Sequence, residues 1–442
     1  MVQHGVEVCP ALNRLAAQGT AFSRAYTTCP LCVPARTALA TGRYPTETGV
    51  VINDWEGASA RDLVPVHQRL AAAGYDVAHV GVDHIRLAPP LRERVRFARD
   101  AGNEEHAAFL ARRGAADDPA EMKRLFSRPI EVFTEDGVKR QGFSSARTAR
   151  WPHPEEWFKD AFFCQEAIAF LQEPRPRPFA LFLYLWAPHP PLRVPEPYFS
   201  RFDPARLALP DNVGKVPRGE PPGRRAGVAA RLAEGYTLDD WRRAWAAHLG
   251  LVNLADAWLG RVLDALRASG HEERTLVAYT VDHGDHLGQR AMYQKMEMSE
   301  PALRVPLVFR GLGARRQRVD ATVSHLDVVP TLLDLLGLPS DPSLPGQSLA
   351  ACVARGEAPA ERAAFAQYSG CAAPGDLRRA AVTRRYKYVH DPRDLPELYD
   401  LEADPLEMEN LAGRPEVAGV ERDLHARCMA WARARGDRRI AA

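Results

Sequence analysis

With 442 residues, 46% of them hydrophobic, the chain has enough apolar material for two or three domain-sized units, or for one large α/β domain with an appendage, and its composition excludes disordered and collagenous classes. Its 58 basic and 56 acidic residues leave a net charge of +2, which removes the electrostatic case for a nucleic-acid binder. Seven scattered cysteines, an odd number, do not make a disulfide framework.

The longest apolar run, residues 179–187, is too short to span a bilayer, and no cationic start followed by an apolar stretch marks a signal peptide. No membrane association and a cytoplasmic location are therefore expected. Only six of the basic residues are lysines and alanine is abundant, the mark of a GC-rich bacterial genome rather than of a function.

In chain order, residues 13–18 with Gly19 behind them predict a short helix closed by a glycine. Residues 21–26 read as extended. A second helix opens near Pro34 and stops at Gly42; proline suits a helix start because the first N–H groups are unpaired there anyway. A helix over 66–73, ended by Gly74, leads to a strand over 76–80. Residues 91–150 are charged and aperiodic, and are expected to form an irregular surface insertion. Trp157, Ala161, Cys164, Ile168 and Leu171 fall on one helical face, which makes Cys164 a core residue. Residues 179–186 read as a buried strand, and the Arg-, Pro- and Gly-rich stretch 201–233 as a solvated loop.

A long amphipathic helix follows, with Trp245, Leu249, Val252, Leu259, Val262 and Leu266 on its buried side. Strands over 275–281 and 306–309 and a helix over 327–336 complete the alternation. Such alternation predicts an α/β fold with a large, mostly parallel sheet sandwiched by helices. The proline-rich stretch 339–346 divides a domain over 1–340 from a small α+β domain over 347–442. The latter is expected to hold strands at 363–368, 380–383, 386–390 and 397–401 and a helix over 417–434.

Residues 29–42 read Cys-Pro-Leu-Cys-Val-Pro-Ala-Arg-Thr-Ala-Leu-Ala-Thr-Gly, and contain Cys32-x-Pro34-x-Arg36-x-x-x-x-Thr41-Gly42. Cys29 and Cys32 alone suit a redox motif or half a zinc site. Zinc would want a second close pair, whereas Cys9, Cys164, Cys352, Cys371 and Cys428 stand singly, and a thioredoxin-like motif would sit in a smaller domain. The run as a whole resembles the signature of the type I sulfatase family, in which this cysteine is oxidised to formylglycine; Val33 departs from the usual small residue. The resemblance implies an alkaline-phosphatase-like fold and maturation by a formylglycine-generating enzyme. It also implies an aldehyde hydrate at position 32, with one hydroxyl to attack a sulfur or phosphorus centre and another to expel the ester. Arg36 would orient that hydrate with fixed, permanently charged donors.

Asp282 and His283 end a hydrophobic strand, where open α/β sheets bind ligands, although Asp-His-Gly also makes an ordinary turn. The resemblance makes them part of a divalent-metal site, calcium first, with magnesium or manganese possible. It implies that Lys295, thirteen residues later, contacts the charged oxygens of the ester. His189, clamped between prolines, resembles the family's His-x-Pro, which contacts substrate and protonates the leaving alkoxide; a structural histidine is the alternative. His84, after Gly74-Tyr75 and Gly81, resembles a second family signature and is implied to help eliminate the product. Val82 replaces the lysine expected there, as in relatives that cleave phosphonate monoesters or phosphodiesters. Asn53 matches a substrate-contacting asparagine of some members, or a turn asparagine.

Segments 303–307, 323–331, 386–388 and 397–401 carry the resemblance toward the end of the chain. At the front, family members have a central strand ending in paired acidic residues that supplies further metal ligands. Residues 2–8 are too short for it and hold no aspartate, so that strand is expected upstream of Met1 or else the metal site is half formed. The function implied is hydrolysis of a small-molecule sulfate monoester. A phosphonate monoester or phosphodiester hydrolase, and a non-catalytic anion-binding homologue, are the alternatives; a homo-oligomer is compatible with all three.

Overall fold

The computed structural model describes residues 2–3, 5–54, 57–134, 137–371 and 375–440. The first helix, α1 (Pro10–Gln18), leads to strand β1 (Thr20–Tyr26), helix α2 (Cys32–Thr41), helix α3 (Val66–Ala72) and strand β2 (Asp76–Gly81). Gly42 stops α2 with a left-handed φ of +70°, its N–H donating to the Ala38 carbonyl. Next come β3 (Arg99–Ala101), α4 (Asn103–Ala111), the hairpin β4 (Ser127–Thr134) and β5 (Gly137–Ser144), α5 (Lys159–Gln172) and β6 (Phe179–Tyr184). The long helix α6 (Leu238–Ala268) precedes β7 (Val277–Thr280), β8 (Arg304–Arg310), β9 (Gln317–Ser324) and α7 (Val328–Leu335).

The central strands form two sheets. In one, β6, β2 and β3 are all parallel. In the other, ordered β7, β8, β1, β9, only β8 runs against its neighbours. Gly81 ends β2 opposite Tyr184 with φ at +113°, and a Cβ there would stand 1.9 Å from the Tyr184 carbonyl oxygen. Only glycine permits that approach. α5 covers the β2–β6 side and packs in turn on α6, burying Cys164, Phe163, Phe170, Trp241 and Trp258.

The strand over 179–186, expected to be buried, is half-buried at every residue, because β6 ends its sheet. Strand β7 likewise ends the other sheet and is shorter than the expected 275–281. An apolar run records burial on its faces and says nothing of whether both edges are paired.

Two expectations are corrected. The described residues of the stretch 91–150 include helices Leu91–Arg94, α4 and Pro119–Phe126 besides the β4–β5 hairpin. Its core residues, among them Leu91, Val95, Leu110, Ile130, Val132 and Phe143, are spread among charged neighbours without a regular period. The stretch 201–233 contains helices Gly223–Ala226 and Val228–Ala233 and buries Arg224 at 2% exposure. Arg224 pairs with Asp391 at 3.0 Å and Glu397 at 2.8 Å, partners far along the chain and invisible to local composition. Strand β9 was also not expected, since charges occupy its exposed half.

Beyond α7, strands β10 (Ala364–Tyr368), β11 (Arg378–Val382), β12 (Tyr386–His390) and β13 (Glu397–Asp400) form an antiparallel sheet in sequential order, with α8 (Ala418–Ala434) packed on β11 and β12. Ala364, Tyr368, Val389, Tyr399 and Leu401 belong to the same apolar cluster as α5 and α6, so one core runs through both parts. The Gln367 N–H donates to the Thr28 carbonyl at 2.9 Å, which ties β10 to the loop before Cys32. Among the described residues no helix is long and apolar enough to cross a membrane.

Candidate active site

Cys32 is the first residue of α2, and its sulfur stands where the segments after β6 and β7 converge. The segment after β7 brings His283 Nε2 to 3.1 Å from Cys32 Sγ. Asp282 Oδ2 accepts from Arg36 Nε at 2.8 Å, one turn along α2 from Cys32, and Asp282 Oδ1 accepts from the His283 N–H at 3.0 Å. Arg36 also donates through Nη1 to the Val82 carbonyl at 2.9 Å. Ligand atoms of Cys32, Asp282 and His283 all lie within 4.8 Å of one another. The segment after β6 brings His189, whose Nε2 accepts from Lys295 Nζ at 3.0 Å.

Burial opposes ionisation of Cys32, but the Lys295 ammonium and His283 outweigh it and hold the thiol well below its ordinary range. Burial likewise works against charge on His283, yet Asp282 and the Cys32 sulfur raise its affinity for a proton. Asp282, although desolvated, is held down to about 2 by His283 and Arg36. These three groups form a charged set in which each stabilises its neighbour. The two histidines are set differently. Burial and Lys295 push His189 down to about 4, so it is neutral, with Nδ1–H donating to the Pro190 carbonyl at 2.6 Å and Nε2 left as acceptor.

Six of the eight candidates thus meet: Cys32, Arg36, His189, Asp282, His283 and Lys295. Asn53 takes a supporting place, its Oδ1 accepting from the Val33 N–H at 3.1 Å and so satisfying an unpaired donor in the first turn of α2. His84 is buried and is linked to the site through Trp186. Its ring meets Trp186 edge-on at 6.2 Å between centroids, and Trp186 in turn covers His189 at 4.0 Å.

Several contributors carry no local signature in the sequence. Cys371, in the C-terminal part, and Asp285 both lie close enough to Lys295 for its charge to act on them. Asp160, on α5, fixes the approach to His189 by accepting from the N–H groups of Trp186 at 2.6 Å and Ala187 at 3.0 Å. Its partners could be found only from the fold.

Burial raises the Asp160 carboxyl to about 6, with the two backbone donors only partly offsetting it. The folded state therefore binds this proton more tightly than the unfolded chain. Stability is greatest below the unfolded carboxyl range and falls as pH rises through about 6, by on the order of 3 kcal/mol. Asp160→Asn keeps an oxygen for both N–H groups and removes the titration. Urea midpoints of the parent should fall between about pH 4 and pH 7 relative to those of the variant; parallel curves would exclude this role for Asp160.

The architecture and this convergence of strand ends define an alkaline-phosphatase-like α/β protein. The solved phosphonate monoester hydrolase SpPMH from Silicibacter pomeroyi superposes with a TM-score of 0.78 at 24% identity, over 97% of this chain and 91% of that one. BT1596, a 2-O GAG sulfatase, superposes with a TM-score of 0.72 at 22% identity, over 98% and 88%. The chain belongs to the sulfatase family, whose profile matches residues 2–338; a profile for the N-sulphoglucosamine sulphohydrolase C-terminal region matches residues 288–434. Among curated relatives, the multifunctional alkaline phosphatase superfamily protein PehA of Trinickia caryophylli is 27% identical over 98% of this chain and 90% of its own length. The choline-sulfatase of Rhizobium meliloti (strain 1021) is 28% identical over 92% and 78%.

Proposed function

We propose that the chain is a formylglycine-dependent hydrolase of sulfate monoesters. The observation that carries this reading is the placement of Cys32 at a helix start, against His283 and under the charge of Lys295. A hydrated formylglycine at position 32 would supply a geminal diol, one hydroxyl to form an ester with the transferred group and one to expel it. Arg36, held by Asp282, and Lys295 present fixed positive charge where charge develops on that group. His189 is neutral and accepts from Lys295, so the proton for the leaving oxygen belongs to the Lys295–His189 pair rather than to an isolated imidazolium.

Asp282 and His283, with position 32, offer one carboxylate and one imidazole, and both carboxylate oxygens already accept hydrogen bonds. Calcium takes six to eight oxygens, so this set alone does not fit it. The edges of β6 and β7 are both unpaired among the described residues. The rings of Phe179, opening β6, and His271, ahead of β7, lie 5.7 Å apart, while the far ends of both strands lead to Cys32.

A second reading, phosphonate monoester or phosphodiester hydrolysis, is favoured by Val82. Its side chain is 1% exposed, among Phe162, Phe163 and their neighbours, so this position brings no cation to the site. Co-expression with a formylglycine-generating enzyme, then mass spectrometry of the peptide bearing residue 32, is expected to show the aldehyde. Parallel assays on an aryl sulfate and an aryl phosphonate monoester should favour the sulfate. The reverse preference establishes the second reading, and an unmodified thiol sinks both.

A further inference from the structure

Lys295 is held in an unusual stretch of backbone. Gln294 before it and Met296 after it both adopt left-handed φ values, +66° and +80°, which non-glycine residues avoid unless their surroundings impose them. What imposes them is visible on both sides. Gln294 donates from Nε2 to the Ser144 carbonyl at 2.6 Å, and its own carbonyl accepts from the His286 N–H at 2.8 Å. On the other side the Met296 N–H donates to the Pro30 carbonyl at 3.3 Å, within the loop leading to Cys32.

The Met296 carbonyl accepts from Arg378 Nη1 at 3.3 Å, and the same guanidinium pairs with Glu297. Arg378 is 1% exposed and belongs to β11, the second strand of the C-terminal sheet. Its Nε donates to Asp376 at 3.0 Å, and Tyr368 lies under it at 5.0 Å. A planar fork can hold a carbonyl and two carboxylates at once, whereas a single ammonium cannot match that geometry.

We propose that Arg378 is a positioning residue for Lys295. Reaching from the C-terminal sheet, it fixes the backbone immediately after Lys295 and thereby sets where the ammonium stands against His189 and Cys32. The C-terminal part is then a component of the site, acting through this backbone. The inference rests on the reading of Lys295 as a cation of the site, and its test separates that reading from formylglycine chemistry.

The first arm uses the unconverted chain, with cysteine at position 32. Alkylation of Cys32 by iodoacetamide across pH, followed by peptide mass spectrometry, gives a midpoint that reports the charge facing the sulfur. Lys295→Met is expected to raise the midpoint and sets the scale; Arg378→Met should raise it in the same direction. Arg378→Lys keeps a charge beside Glu297 and Asp376 and should fall between parent and Arg378→Met. The second arm uses converted enzyme and an aryl sulfate, where Arg378→Met should lower kcat by about 10- to 100-fold and Arg378→Lys recover part of it.

Arg378 variants that fold, by circular dichroism, yet keep the parent midpoint while Lys295→Met moves it would overturn the proposal. If Arg378→Met does not fold, Arg378→Lys decides alone by the same midpoint. A Lys295→Met midpoint equal to the parent's also overturns it, because the ammonium then has no electrical hold on position 32. Midpoints that move as expected in a chain without conversion or turnover uphold the positioning role, and count against the formylglycine reading instead.

Discussion

Cys32→Ala is expected to abolish ester hydrolysis, lowering kcat/KM by on the order of 10⁴-fold or more, because the covalent route disappears with the side chain. The fold should survive. Cys32 is 4% exposed but small, and its side-chain hydrogen bonds are to His283 and His189, so the loss of stability is on the order of 1 kcal/mol. Steady-state kinetics on an aryl sulfate, beside a urea unfolding curve, check both parts. Activity within tenfold of the parent in a folded variant would remove position 32 from the chemistry.

Arg36→Met is expected to damage both activity and fold. Arg36 and Asp282 have side-chain exposures of 13% and 16% and meet at 2.8 Å, so removing the guanidinium strands a largely desolvated carboxylate. Breaking such a pair from one side costs about 3–5 kcal/mol. The sign of the pH dependence follows from Asp282. Its proton affinity is depressed to about 2 in the fold, so its contribution is present above the unfolded carboxyl range and lost as pH falls through about 2. In Arg36→Met much of that contribution should be missing at neutral pH, and unfolding curves at about pH 5 and pH 2 should lie closer together than the parent's. Loss of one fixed charge facing the transferred group should also lower kcat by about 10²- to 10³-fold. Arg36→Lys, which keeps the charge but not the fork between Asp282 and Val82, should recover stability better than rate. A folded Arg36→Met with parental kcat would exclude Arg36 from the site.

These variants probe residues that the sequence already named, and the reason they could be named is local. Cys32 and Arg36 are one helical turn apart, and Asp282 and His283 are adjacent at a strand end. Each pair keeps its geometry whatever the rest of the chain does. Much of the secondary structure was legible for the same reason: α6, α5 and strands β1, β2 and β12 follow from apolar period and from glycine stops. The stretch 91–150 looks irregular in sequence because its apolar residues keep no regular period, and 201–233 looks solvated because arginine, proline and glycine dominate it. Arg224 faces Glu397 and Asp391 instead.

By itself, then, the sequence determined the family, the alternating α/β order and the identity of the groups that meet at Cys32, because motif spacing and hydrophobic period are local properties of a chain. Only the tertiary structure decided their charge states and supports. It showed His189 neutral against Lys295, Asp160 holding the approach to His189, and Arg378 reaching in from the C-terminal sheet. It also showed that, among the described residues, the edges of β6 and β7 are unpaired. Each of these depends on burial and on partners distant along the chain, and desolvation and long-range pairing arise only when the segments are packed together.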